Sequence, residues 1–350
     1  MGEAITDARQ ALIHQLFPQG IPSLWCPPLT HYTDDGGLDA ARITAHLTSM
    51  APWVKGVLVP GSTGDGWELD AAEARRLLEL VLDLAPRLGM HVLVGALDPD
   101  PDAARAFIAD TAAWLRERAG TDDTLAALTA AGARGFAVCP PKGADVPQHA
   151  IRDALTATLE LGLPTAFYQL PQVTENEAAP DTLARVAARF PNLYLMKDSS
   201  GGDHVATSDL DLGGLFLVRG AESHYERWLK SAGGPYDGFL LSTANCFAPH
   251  LHRAIERLDA GDREAALAAA QPVTQAILGA FELVDALPHG NIYTNSNKAF
   301  DHFLAHGPNA AELPPPRLHA GTRLPQEVID GAGELLARLG LMPERGYLHA

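Results

Sequence analysis

Three short stretches combine reactive side chains with the small residues that expose them. They are Gly61-Ser62-Thr63-Gly64, Tyr168-Gln169-Leu170-Pro171 and Lys197-Asp198-Ser199-Ser200-Gly201. Lys197 follows Leu193, Leu195 and Met196, so a cation stands at the end of an apolar run. Burial there disfavours the ammonium form and frees the amine to attack a carbonyl. A structural ion pair with Asp198 or Asp203 would account for the same residue without catalysis. Tyr168, after Phe167, offers a hydroxyl that can move protons to and from a carbinolamine, or it is a core tyrosine with a satisfied hydroxyl. The Gly-Ser-Thr-Gly turn offers unhindered backbone N–H groups and two hydroxyls, a combination suited to a carboxylate; an ordinary tight turn has the same composition.

Such groups act together only if the fold brings them to one place. Eight β-rich apolar runs recur along the chain: Pro22–Pro28, Gly56–Pro60, His91–Ala96, Gly135–Pro140, Pro164–Leu170, Leu193–Lys197, Leu215–Gly220 and Gly238–Ser242. Segments of helical periodicity separate most of them, including Leu38–Met50, Ala71–Leu84, Asp102–Arg118, Gln148–Leu161 and Pro180–Phe190. Near-continuous apolar strands alternating with amphipathic helices predict a parallel sheet covered on both faces. Eight such units over roughly 225 residues predict an α/β fold of the (β/α)8 TIM-barrel type. A doubly wound sheet would carry a Gly-x-Gly-x-x-Gly turn after its first strand, and there is none. In a barrel, catalysis belongs to the C-terminal ends of the strands, where all three motifs fall.

Helices are expected over Pro249–Ala260, Arg263–Leu287, Ser296–Ala305 and Pro325–Leu339, with a proline-rich link at Pro314–Pro316. The organisation predicted is an N-terminal extension over 1–20, a catalytic barrel over 21–248 and a C-terminal helical region over 249–350. Gly120–Asp123 reads as an insertion loop. The Asp98-Pro-Asp-Pro-Asp102 cluster reads as a turn with an aspartate capping the next helix. His250 and His252 lie two apart, hence on different helix faces, and do not suggest a metal site. Trp67, just past the carboxylate-type turn, is a candidate pocket wall.

The balance of 26 basic against 43 acidic residues leaves a formal charge of -17, with no basic stripe. That argues against nucleic acid or an anionic membrane as partner. No unbroken apolar run approaches a membrane span of about 18 residues, and the N-terminus lacks a signal-peptide pattern. Cys26, Cys139 and Cys246 are widely spaced and read as apolar fillers in a reducing, cytoplasmic setting.

Together, these motifs resemble the dihydrodipicolinate synthase / N-acetylneuraminate lyase superfamily of class I aldolases. Thr33–Asp39 is similar to its Asp-Gly stretch, Gly61–Asp65 to its Gly-Ser/Thr-Thr-Gly-Glu signature, and Tyr168–Pro171 to its Tyr-Asn-x-Pro. Lys197–Gly201 is similar to its lysine motif and Gly238–Asn245 to its eighth-strand segment. The resemblance implies that Lys197 forms a Schiff base with a 2-keto acid and that Tyr168 is the acid–base group. It also implies that Ser62 and Thr63 hold the keto-acid carboxylate, one hydroxyl relaying protons. Gly61, Gly220, Leu240 and Leu241 complete the expected substrate contacts, with no cofactor or metal. The implied partners are a small 2-keto acid and an aldehyde, and the implied assembly is a homotetramer, a dimer of dimers.

Departures from the family pattern narrow the reaction. Gln172-Val173-Thr174 stands where the synthases carry a carboxylate-binding arginine, and Pro140-Pro141-Lys142 replaces a relay aromatic. Asp65 replaces the usual Glu and Gln169 the usual Asn. The expected reaction is therefore a lyase reaction next to a pyruvate-like enamine, other than dihydrodipicolinate synthesis. A dehydratase or deaminase acting on a 2-keto-3-deoxy acid, or a non-catalytic keto-acid-binding regulator, would use the same residues.

Overall fold

A computed structural model describes residues 2–349. Its eight strands are β1 (Leu24–Cys26), β2 (Gly56–Val59), β3 (His91–Ala96), β4 (Ala133–Val138), β5 (Thr165–Gln169), β6 (Leu193–Asp198), β7 (Phe216–Arg219) and β8 (Gly238–Leu240). They form a closed barrel in chain order, as the eight apolar runs predict. The helices are α1 (Gly2–Leu16), α2 (Ala40–Met50), α3 (Ala71–Leu84), α4 (Pro101–Ala119), α5 (Thr124–Ala130), α6 (Gln148–Leu159), α7 (Pro171–Thr174), α8 (Pro180–Ala187), α9 (Ala244–Asp259), α10 (Arg263–Val284), α11 (Ile292–His306) and α12 (Gln326–Arg338). The fold is a (β/α)8 barrel with added C-terminal helices.

Two compact units divide the chain. The first comprises the chain through Ser23, His91–Ala221 and Pro235–Leu240, and carries α1, β3 to β8 and α4 to α8. Its strands pair in parallel with their chain neighbours, and nearly every strand residue is buried, which is why the runs read as continuously apolar. The predicted extension contains α1, tied down by the fully buried Arg9. Its Nε donates to Leu193 O at 2.6 Å, at the entrance to β6, while Nη2 donates to Phe190 O at 3.1 Å and also to Ala187 O. Asp100 caps α4 through the N–H of Asp102, as the aspartate cluster predicts.

The second unit comprises Leu24–Met90, Glu222–Gly234 and the chain from Leu241. Trp25 pairs with Gly56 across β1 and β2, and its ring occupies the place a Cβ on Gly56 would need. α9 starts at Ala244, before Pro249, because two helical pieces join across a kink at Phe247; proline supplies no N–H there, so the sequence reads as a later start. Asn245 fastens this start: Nδ2 donates to Pro27 O and Ser242 O, and Oδ1 accepts from Leu29 N and faces His46 Nε2 at 2.9 Å.

Among the described residues α10 has the length and hydropathy of a membrane span, although no unbroken apolar run predicts one. Its residues Ala266, Ala270, Val273, Ile277, Ala280 and Val284 form a buried stripe at three- and four-residue spacing, and the helix packs on α9, α11 and α12.

Arg9→Met should strand the buried carbonyls that its guanidinium satisfies and lower stability by about 1–3 kcal/mol. Urea unfolding monitored by circular dichroism measures this. An unchanged midpoint would show that α1 docks without that anchor.

Candidate active site

In the first unit, Tyr168 on β5 pairs directly with Lys197 on β6. Paired residues on neighbouring strands point to the same face, and Lys197 Nζ lies 3.9 Å from the centre of the Tyr168 ring. Lys197 is 4% exposed and Tyr168 2%. The carboxylates that offered an ion-pair reading of Lys197 have further partners of their own. Asp203 accepts a two-pronged pair from Arg219, Nε to Oδ1 at 2.9 Å and Nη2 to Oδ2 at 3.1 Å. Tyr236 OH donates to Asp203 Oδ1 at 2.6 Å and to Asp198 Oδ2 at 3.3 Å, and Asp198 Oδ1 accepts from Ser200 N. Asp198 follows Lys197 on the strand and so points to the opposite face. Burial raises its carboxyl pKa despite the bonds from Ser200 and Tyr236. This network holds the loop after Lys197, where Gly201 and Asp203 adopt positive φ.

Gly220, expected as a substrate contact, lies against the lysine stem. A Cβ there would run into Ser199 Oγ and come within 2.7 Å of Lys197 Cε. Cys139 follows β4 one step beyond Val138, the partner of Phe167, and so neighbours Tyr168. Burial pushes its thiol pKa up while Lys197 pulls it down. The loop after Tyr168 carries no cation: Gln172 Nε2 donates to Ser199 O at 3.1 Å, and Val173 is half-buried. Lys142 pairs with Glu175 at 3.3 Å, both about half exposed, so a rim acid already neutralises its charge. Gln169 ties the same loop through Ala178 N and Glu177 Oε2.

In the second unit, Gly61, Ser62 and Thr63 lie in a buried turn after β2. Ser62 O accepts from Asn291 Nδ2 at 3.1 Å and Thr294 Oγ1 at 3.4 Å, and Thr63 O accepts from Thr294 Oγ1 at 3.0 Å. A trans peptide sets its N–H opposite its carbonyl, so the Thr63 N–H points away from the α11 side chains that hold Ser62 O. Asp65 closes the turn at positive φ; its Oδ2 accepts from Tyr32 OH at 2.9 Å and pairs with Lys298 Nζ at 3.1 Å. Burial and Asp65 raise the Tyr32 hydroxyl pKa far above its usual value. Trp67 is half-buried.

Leu240 and Leu241 are fully buried, one in each unit. Sequence reasoning missed Glu222, which accepts from Ser242 Oγ at 2.6 Å, Thr243 N at 3.1 Å, and Thr243 Oγ1 and Tyr225 OH, both at 2.7 Å. Burial and Glu222 push the Tyr293 hydroxyl up to about 12. No motif marks this acid, because the hydroxyls of Ser242 and Thr243 reach it from about twenty residues further along the chain.

Among the described residues, His31, His46 and Asp301 hold potential metal-ligand atoms within 4.8 Å of one another. Arg42 Nη2 donates to Asp301 Oδ2 at 2.6 Å and Tyr347 OH to Oδ1 at 2.9 Å, which makes this an interior ion pair. Burial would raise the Asp301 carboxyl pKa, but Arg42 and His46 hold it well below the usual range.

No family model matches the sequence. The 4-hydroxy-tetrahydrodipicolinate synthase of Agrobacterium fabrum is 26% identical over 239 residues, 67% of this chain and 73% of that protein. The synthase of Methanospirillum hungatei is 27% identical over 254 residues, 72% of this chain and 79% of that one. The prophage protein YagE of E. coli K12, of the dihydrodipicolinic acid synthase family and solved with pyruvate, superposes with a TM-score of 0.69 at 17% identity, covering 92% of this chain and 100% of that one. The chain is thus similar in sequence to dihydrodipicolinate synthases and shares its fold with solved members of that family. The 2-keto-3-deoxygluconate aldolase of Sulfolobus, solved with D-KDPG, matches at a TM-score of 0.67 and 15% identity over 92% of this chain and all of that one.

Gly220→Ala should crowd Ser199 Oγ and the Lys197 stem and lower kcat by on the order of tenfold or more, because sub-ångström displacement of a reacting group is costly. Steady-state kinetics beside a melting curve measures this. Unchanged kcat would show that the lysine stem does not depend on the gap at Gly220.

Proposed function

We propose that the protein is an aldolase that makes or breaks a carbon–carbon bond next to a pyruvate-like enamine, with Lys197 as the Schiff-base amine. The observation that carries this reading is the buried Lys197 amine 3.9 Å above the ring of Tyr168, its direct cross-strand neighbour. In the proposed reaction the amine adds to the C2 ketone of the keto acid, and the carbinolamine loses water to give an iminium. Loss of a C3 proton yields the enamine, whose C3 attacks an aldehyde carbonyl; water then releases product and amine. Tyr168 is assigned the proton transfers. The turn at Ser62 and Thr63 is assigned the keto-acid carboxylate through the N–H of Thr63, which faces away from α11.

The aldehyde partner is proposed to be uncharged and hydroxylated or aromatic. A second carboxylate buried without a charge-assisted partner costs several kcal/mol. Val173 and Gln172 offer no charge where an arginine would serve, and Lys142 is paired with Glu175. A flexible ammonium is in any case a poor substitute for a guanidinium fork.

Pyruvate with a panel of neutral hydroxylated and aromatic aldehydes should give aldol products, while aspartate semialdehyde should give little turnover in a coupled dihydrodipicolinate assay. With the preferred aldehyde, Tyr168→Phe should lose on the order of 10²-fold in kcat. Robust condensation with the semialdehyde would contradict the proposed partner class, and a near-normal Tyr168→Phe rate would remove the tyrosine from its role.

A further inference from the structure

The second unit contains a cavity of about 350 Å³, at the small end of the roughly 300–1,000 Å³ typical of small-molecule sites. Its walls include His31, Arg42, His306, Arg317 and Arg323. Arg42 lies in the first turn of α2. Arg317 and Arg323 pair across an antiparallel bridge, which puts their side chains on one face. The proline run at 314–316, Ala41 and Leu348 supply the apolar part of the wall.

Each guanidinium carries five N–H donors, and the contacts within the protein use a minority of them. Arg42 Nη2 bonds Asp301 Oδ2 at 2.6 Å and Nη1 lies 3.2 Å from His306 Nε2, while Nε is buried with no hydrogen-bond partner among the described residues. His31 is 8% exposed, and its Nε2 is likewise buried and unpartnered, 3.7 Å from Asp301 Oδ2 and beyond bonding range. Arg317 Nη1 donates to Asp34 O at 3.0 Å; Arg323 donates to Pro315 O at 2.5 Å and also pairs with Asp34. The acids nearby are engaged as well: Asp301 by Arg42, Asp34 by Arg323, and Asp39, which lines the cavity, by capping the N–H of Arg42. The wall therefore holds an excess of unengaged donors over acceptors, with an apolar surface beside them.

We propose that this cavity binds a small organic acid, its carboxylate received by the guanidiniums and its carbon body by the prolines and Leu348. A planar carboxylate matches the guanidinium fork. The cavity is also wired to the turn at Ser62 and Thr63. Tyr32 lines it and donates to Asp65, which closes that turn. Lys298, the other partner of Asp65, donates to the carbonyl of Arg317 at 3.2 Å. A bound acid would thus bear on both supports of the turn and shift the apparent KM for the keto acid, a consequence that rests on the proposed role of Ser62 and Thr63.

Calorimetric titration of the full-length protein with succinate, benzoate and inorganic phosphate tests the binding without reference to catalysis. At least one carboxylate should bind in the millimolar range or tighter, with affinity falling as salt rises. The double variant Arg317→Ala/Arg323→Ala, checked for folding by its melting curve, should weaken binding at least tenfold. Ala41→Phe, on the exposed side of α2, should do the same by filling the cavity while removing no bond, and Lys197→Ala should leave binding unchanged. Absence of binding by both carboxylates, binding by phosphate alone, or affinity untouched by the arginine and Ala41 variants would overturn the proposal. Binding as expected with no change in the keto-acid KM would retain the site and remove only its link to the Ser62–Thr63 turn.

Discussion

A buried amine against the face of a tyrosine, one strand away, is the contact around which the first unit is organised. A lysine at 4% exposure is costly to bury unless its surroundings are shaped for it. The parallel register of β5 and β6 sets Tyr168 beside Lys197, so the partnership is a property of strand pairing and a one-residue slip would abolish it. Gly220, on the other side, provides the space its stem occupies. Behind the strand, the pair between Asp203 and Arg219, bridged by Tyr236 to Asp198, fixes the loop that follows the lysine. Asp198, next to Lys197 along β6, points to the opposite face of the strand and joins this network.

The second unit fixes a buried turn through its carbonyls. Asn291 and Thr294 take the carbonyls of Ser62 and Thr63, and Asp65 is clamped by Tyr32 and Lys298. The substitution of Asp for the family's usual Glu at 65 coincides with a lysine on α11 that reaches it. Glu222 plays a comparable part for Ser242, Thr243 and Tyr225, accepting from three hydroxyls and the Thr243 N–H.

The barrel was legible because its strands are buried on both faces and its helices on one, two periodicities that survive in sequence. Lys197, Tyr168 and the glycine-rich turn were legible because each closes such a strand. What the sequence hid depends on distant neighbours. Gly220 is a substrate contact by resemblance, but its place against the Lys197 stem appears only once β6 and β7 are side by side. The place of Cys139 beside Tyr168 appears only when β4 is set next to β5. Arg9 turns an apparent extension into a docked helix through carbonyls nearly two hundred residues away. The early start of α9 was masked by Pro249, whose lack of an N–H a kink accommodates.

The central claim is that Lys197 is the amine that bonds the keto acid. The direct measurement is reduction with borohydride in the presence of pyruvate, followed by intact mass and peptide mapping of the full-length protein. The account predicts one pyruvate-derived adduct per chain, on the peptide containing Lys197, and no adduct in a folded Lys197→Ala variant. An adduct of undiminished yield in that variant, or one mapped to another lysine, would contradict it.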